Sequence, residues 1–185
     1  MSRSDELLET LRQAQRFGFF GNRPVEEAVA HAECFVAALD DLPSGSRVLD
    51  HGSGGGLPGL VIADARPDVE VVLLDRRQKR TDFLAMAVRR LGFGHVLIWH
   101  RDATDVAREI APGRLAAFDA VTARGFGPPE GTLRTAVGCL GPGSGCVVIS
   151  EPPTGDRWPP ELLDELEVRV ARRDTVIRFE RRSIH

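Results

Sequence analysis

Apolar positions change their period twice along the chain. Leu7, Leu8, Leu11 and Ala14 recur at helical spacing, with Ser4 as the expected N-cap and Asp5 and Glu6 in the first turn. Phe17-Gly18-Phe19-Phe20-Gly21-Asn22 breaks that pattern. A second helix is predicted from Pro24, a favoured first helical residue, through Glu26, Glu27, Val29, Phe35 and Val36 to about Asp40. Pro43-Ser44-Gly45 ends this helical opening. Short apolar runs then alternate with helical stretches. Arg47–Asp50, Val69–Asp75, His95–His100, Phe118–Ala123 and Gly145–Ser150 read as strands, and Pro58–Ala65, Gln78–Leu91, Thr104–Ile110 and Glu130–Leu140 as helices. Such alternation implies βαβ crossovers and a parallel, doubly wound sheet. Beyond a Pro-rich loop at Glu151–Gly155 and Pro159-Pro160, a short helix is predicted over Pro160–Leu166. Two strands follow, Glu167–Ala171 and Thr175–Arg182, joined by Arg172-Arg173-Asp174. The expected architecture is one α/β domain: a helical cap over residues 1–44, then a Rossmann-like core over 45–185. Its sheet has seven strands, mostly parallel and closed by a C-terminal hairpin.

Composition adds bounds. At 185 residues, 42% apolar and 28% charged, the chain matches an ordinary globular domain. No apolar run is long enough to span a bilayer, and the charged N-terminus lacks a signal-peptide core. A cytoplasmic monomer without membrane contact is expected. Cys34, Cys139 and Cys146 are odd in number and form no C-x-x-C pair, so they read as small buried apolar residues. His95 and His100 lack metal-ligand spacing, and no metal is expected. The net charge of −3 argues mildly against coating long nucleic acid but leaves room for a local basic face.

The chemistry concentrates in Val48-Leu49-Asp50-His51-Gly52-Ser53-Gly54-Gly55-Gly56-Leu57-Pro58-Gly59, a glycine turn between a strand and a helix. Glycines permit positive φ and close ligand approach. Gly52 and Gly54 supply G-x-G, but Leu57 occupies the third glycine position of the dinucleotide fingerprint. Asp50 adds negative charge that a pyrophosphate would not favour and a cationic amino-acid head group would. Asp75 ends the second strand roughly 20 residues on, where a carboxylate can take ribose hydroxyls. Asp102 follows the third strand and could accept from an adenine amino group, with Ala103 lining the edge. Three acids at successive strand ends around this turn point to S-adenosylmethionine (SAM). The alternative is a tight glycine junction with solvent-facing acids.

Asp50 to Leu60, with its Leu57-Pro58-Gly59 continuation, resembles the glycine motif of the bacterial 16S ribosomal RNA guanine-N7 methyltransferases, the RsmG or GidB family. Asp75-Arg76-Arg77-Gln78-Lys79-Arg80 with Phe83-Leu84, and Phe118–Arg124, are similar to its second-strand exit and fourth strand. His31 stands where the family commonly has a histidine. The resemblance runs from Pro24 to about Ile149. It implies the class I methyltransferase fold, and SAM contacts from Gly52, Leu57, Asp102 and Ala103. It places Arg124 beside the methyl-transfer pocket, with ribosomal RNA or the small ribosomal subunit as partner. Ile149-Ser150-Glu151-Pro152-Pro153 departs from the expected basic corner.

Guanine N7 carries a lone pair, so its methylation needs alignment and no general base. Arg124 is the candidate catalytic residue, able to bond the N7 edge or a phosphate; the alternative is a surface arginine paired with Asp119 or another nearby acid. Arg76, Arg77, Lys79, Arg80, Arg89 and Arg90 form either a phosphate grip or a solvated helix face. The arginines of the terminal hairpin read equally as edge-strand protection. His31 reads as structural, and His51 either approaches the cofactor or faces solvent. Phe17, Phe19 and Phe20 anchor the cap or wall the substrate site. A small-molecule methyltransferase and a non-catalytic SAM-binding protein are the other functions this core allows.

Overall fold

The computed structural model describes residues 2–125, 127–151 and 158–182. Its elements, in order, are α1 (Arg3–Arg16), α2 (Val25–Ala37), β1 (Arg47–His51), α3 (Gly59–Ala65), β2 (Glu70–Asp75), α4 (Gln78–Leu91), β3 (Val96–His100), α5 (Ala103–Ile110), β4 (Ala120–Ala123), α6 (Pro129–Gly138), β5 (Cys146–Ser150), α7 (Pro160–Glu165), β6 (Val168–Arg173) and β7 (Val176–Arg181). The sheet order is β3-β2-β1-β4-β5-β7-β6; the β5–β7 and β7–β6 pairs are antiparallel and the others parallel.

Strand alternation divides the core. Val48, Val71, Leu73 and Val148 face one side, packed with Leu11, Phe35, Leu60 and Leu84 from α1 to α4. Leu49, Val72, Leu74 and Val147 face the other, packed with Val106, Leu133, Val137 and Leu162 from α5 to α7. Burial on both faces is why the inner strands read as continuous apolar runs rather than alternating ones. The strand order reverses between β1 and β4, the place where open α/β sheets receive ligands at the carboxyl ends of their strands.

Boundaries differ from expectation where local hydrogen bonding decides them. The N-cap of α1 is Ser2, not Ser4: Ser2 Oγ accepts from the Asp5 amide, and Asp5 returns a bond to the Ser2 amide. Pro24 is the N-cap of α2 rather than its first residue, because its ψ of 136° is extended, and α2 stops at Ala37. Asp102 caps α5 one residue earlier than predicted. The region before β4 is looser than predicted, with Phe118 making an isolated bridge to Leu140. In the hairpin, a register shift between Val170 and Arg172 carries β6 on to Arg173 and moves the turn to Asp174 and Thr175. The proline-rich loop predicted after Glu151 falls largely at 152–157, outside the described residues. No helix among the described residues is long and apolar enough to cross a membrane.

Candidate functional site

The glycine turn leaves β1 with Gly52, Gly54 and Gly56 all at positive φ (72°, 56° and 99°). Asp50 turns beneath it. Its Oδ2 accepts from the Gly59 amide at 3.1 Å and its Oδ1 from Thr122 Oγ1 at 3.0 Å. This is possible only because Gly59 has no side chain: a Cβ there would lie 2.6 Å from Asp50 Oδ2 and 2.2 Å from Leu73 Cδ2. Asp50 is 1% exposed, and burial raises its pKa to about 6, against the opposing bonds from Thr122, Ser53 and Gly59. It holds the turn from within and does not line the cleft. His51 is fully buried, and burial lowers its pKa to about 4, so it is neutral at pH 7. It neither faces solvent nor lines the cleft.

Above the turn are two adjoining hollows. One, of about 480 Å³, is lined by Gly52, Asp75, Asp102, Ala103, Arg101 and Thr132 among others. The second, of about 280 Å³, is lined by Phe19, Phe20, Gly54, Leu57, Arg80 and Arg124 among others. Gly52, Arg80 and Gly125 line both, so the two form one cleft across the turn. Seven of the eight sequence-predicted site residues therefore converge here, Asp50 being the exception.

Asp75 works in two directions. Oδ2 accepts from the Gly54 amide at 3.0 Å and from Arg80 Nη1 at 3.3 Å, while Oδ1 accepts from the Arg77 amide at 2.9 Å. A carboxylate has about four acceptor sites, so capacity for one further donor remains. Asp102 accepts from the Thr104 amide at 2.8 Å, which holds its carboxyl below the usual range. Ala103, 4% exposed, forms the adjacent wall.

Arg124 Nη1 is buried with no hydrogen-bond partner among the described residues. Burial lowers the Arg124 pKa, Arg23 adds to that, and the Asp50 carboxylate opposes it. Arg124 does not pair with Asp119, whose Oδ2 instead accepts from the Arg47 amide. Sequence reasoning missed three contributors. Thr122 lies 72 residues from Asp50. Thr132, 3% exposed, lines the cleft with Oγ1 unpartnered among the described residues. Arg80 belongs to the turn as well as to its basic helix. Trp99 packs edge-on against Phe118 in the sheet. The hairpin arginines are engaged internally: Arg178 with Asp41, Arg169 with Glu180 and Arg182 with Asp164. No cluster of three potential metal ligands occurs among the described residues.

A seven-stranded sheet with its final strands antiparallel, and a glycine-turn cleft at the switch point, defines the class I methyltransferase fold. Coclaurine N-methyltransferase, solved with N-methylheliamine and SAH, superposes with a TM-score of 0.55 at 16% identity, covering 71% of this chain and 38% of that one. The family model GidB, rRNA small subunit methyltransferase G, matches residues 8–149, and the chain belongs to that family. The ribosomal RNA small subunit methyltransferase G of Sorangium cellulosum is 41% identical over 103 residues, 55% of this chain and 41% of that protein. Its counterpart from Salinispora arenicola is 40% identical over 115 residues, 62% of this chain and 48% of that protein. The chain thus spans about half the length of the curated relatives it matches.

Proposed function

We propose that this protein is a SAM-dependent methyltransferase acting on a guanine N7 of small-subunit ribosomal RNA. The observation that carries the reading is the unpartnered, buried Arg124 Nη1 in a cleft that also holds Gly52, Leu57, Asp75, Asp102 and Ala103. SAM fits these groups: Thr132 Oγ1 and Arg124 Nη1 are buried polar atoms without partners among the described residues, which a ligand with hydroxyl, amino and carboxylate groups would satisfy. When bound, SAM supplies an electrophilic methyl group on a sulfonium centre.

The chain supplies placement. Asp75 keeps one acceptor site for a ribose hydroxyl. Asp102 and Ala103 form the edge that receives adenine. Gly52 and Leu57 bring backbone close to the ligand, and Arg124 orients either the ligand carboxylate or the N7 edge of the acceptor. No base is required, since N7 presents its own lone pair, so a site without a catalytic acid–base pair suits the reaction.

The test incubates the protein and methyl-labelled SAM with small ribosomal subunits, or their naked RNA, from cells lacking the family's modification. Label recovered as N7-methylguanine is the expected result, and unlabelled RNA rejects the acceptor. Phe19, Phe20 and Gly21 also wall the smaller hollow as they would for a small acceptor. Transfer to metabolite extracts with none to RNA would select that reading.

A further inference from the structure

The loop between α1 and α2 carries three phenylalanines whose arrangement exceeds what anchoring a cap requires. Phe20 and Phe19 lie directly on the glycine turn: a Cβ on Gly55 would come within 2.7 Å of Phe20 Cδ1 and 3.1 Å of Phe19 Cβ. Phe19 and Phe20 wall the hollow that contains Arg124. Phe17, next in the row, is instead 57% exposed. Its ring stands 5.7 Å from Phe19 and edge-on to Phe83, at 6.0 Å and 87°. The Arg80 guanidinium sits 5.9 Å from the Phe19 ring centroid.

The loop is braced. Gln15 Nε2 donates to the carbonyls of Gly21 and Arg23 at 2.8 and 2.7 Å, and the Gly18 and Phe19 amides donate back to Gln15 and Ala14. Phe17 is therefore a fixed aromatic surface rather than a loose side chain, which lowers the entropy lost when something stacks on it. Cations lie close by: Arg80, paired with Asp75, and Arg124, which makes no ion pair among the described residues, both line the hollow that Phe19 and Phe20 wall. An exposed aromatic face beside guanidinium groups suits a planar, electron-rich ring on an anionic backbone.

We propose that Phe17, with Phe19 and Arg80 beside it, forms a stacking step for one unpaired base of the acceptor RNA, at the lip of the hollow that takes the target guanine. The proposal rests on the RNA reading above and deepens it: the acceptor is recognised as single-stranded nucleotides splayed from a helix, not as duplex. Unpaired bases are the form of RNA that aromatic side chains read.

The test compares wild type with Phe17→Ala, Phe17→Leu and Phe17→Trp, measuring KM and kcat for methyl transfer to RNA and SAM affinity by calorimetry. Leucine keeps apolar bulk without a π-face; tryptophan keeps the face. Stacking predicts that alanine and leucine both raise the RNA KM, by roughly five- to a hundredfold. Tryptophan should stay within about threefold of wild type, with SAM affinity unchanged in all three. A leucine variant matching wild type, or an unchanged alanine variant, overturns the stacking step while leaving RNA methylation standing. Wild type that labels no RNA overturns both. A loss of SAM affinity equal in fold to the rise in RNA KM would assign Phe17 to cap packing and also overturn it.

Discussion

Asp50→Asn isolates the energetics of the turn. The native Asp50 pKa is raised to about 6 from an ordinary 3.8, with burial as the cause. Between those values the folded protein holds a proton that the unfolded chain has released, so this group's contribution to stability falls as pH rises through the window. A separation of about 2.2 pH units is worth about 3 kcal/mol at about 1.36 kcal/mol per unit. The neighbouring His51 acts oppositely: its pKa drops to about 4 from 6.5, so the unfolded chain takes the proton first and stability falls as pH drops. The two linkages overlap in pH and nearly cancel in wild type. An asparagine side chain keeps an acceptor for the Gly59 amide and can donate to Thr122 Oγ1, while removing the titration. Urea unfolding of both proteins from pH 3.5 to 7.5 should show the variant gaining on wild type as pH rises above about 3.8. The gain should level off above pH 6 at up to about 3 kcal/mol. Other carboxylates titrate alike in both proteins and drop out of the difference. A difference that is flat with pH would refute a raised Asp50 pKa, and one that shrinks with rising pH would mean the carboxylate is stabilised by a partner charge.

Gly59→Ala should destabilise by about 1–3 kcal/mol, seen as a lower urea midpoint, because the added Cβ meets Leu73 Cδ2 at 2.2 Å. Thr132→Val should leave the ligand-free protein as stable or more so by thermal melting, since it removes a buried hydroxyl without a partner, yet weaken SAM roughly two- to tenfold by calorimetry. Asp75→Ala should weaken SAM by about ten- to a hundredfold, combining a lost ribose contact with loosening of the Gly54 and Arg77 amides; unchanged calorimetric affinity would sink the cofactor assignment.

The alternation of periods made the core legible, because strands buried on both faces and helices buried on one leave different sequence patterns. The same patterns could not set the ends. Ser2 and Ser4 are equivalent in composition, and only the reciprocal bond with Asp5 selects Ser2. Strand-end acids were readable as a group, since spacing alone brings the ends of β1, β2 and β3 together. Their directions were not. Whether Asp50 points up to the cleft or down into the core depends on the missing Cβ of Gly59 and on a threonine three strands later in the chain. Arg80 read equally as part of a phosphate grip or of a solvated face; its link to Asp75 depends on how β2 turns into α4.

The placement of Asp50 alters how the turn and Arg124 work together. A carboxylate in the cleft would neutralise Arg124 by direct pairing and occupy its donors. Beneath the turn it makes no hydrogen bond to Arg124, yet its charge opposes the desolvation that lowers the guanidinium's pKa. The field between buried charges is little screened, so contact is unnecessary. The Asp50 charge thus partly offsets the cost of burying the Arg124 cation, while Nη1 has no hydrogen-bond partner among the described residues. The strain falls on Asp50 instead, as a pKa near 6 and a stability cost above it, offset by the bonds that Thr122 and Gly59 direct at its two oxygens. Stability given up at a buried charge, next to a cation kept unpaired, is the pattern of a site arranged for a ligand rather than for the fold alone.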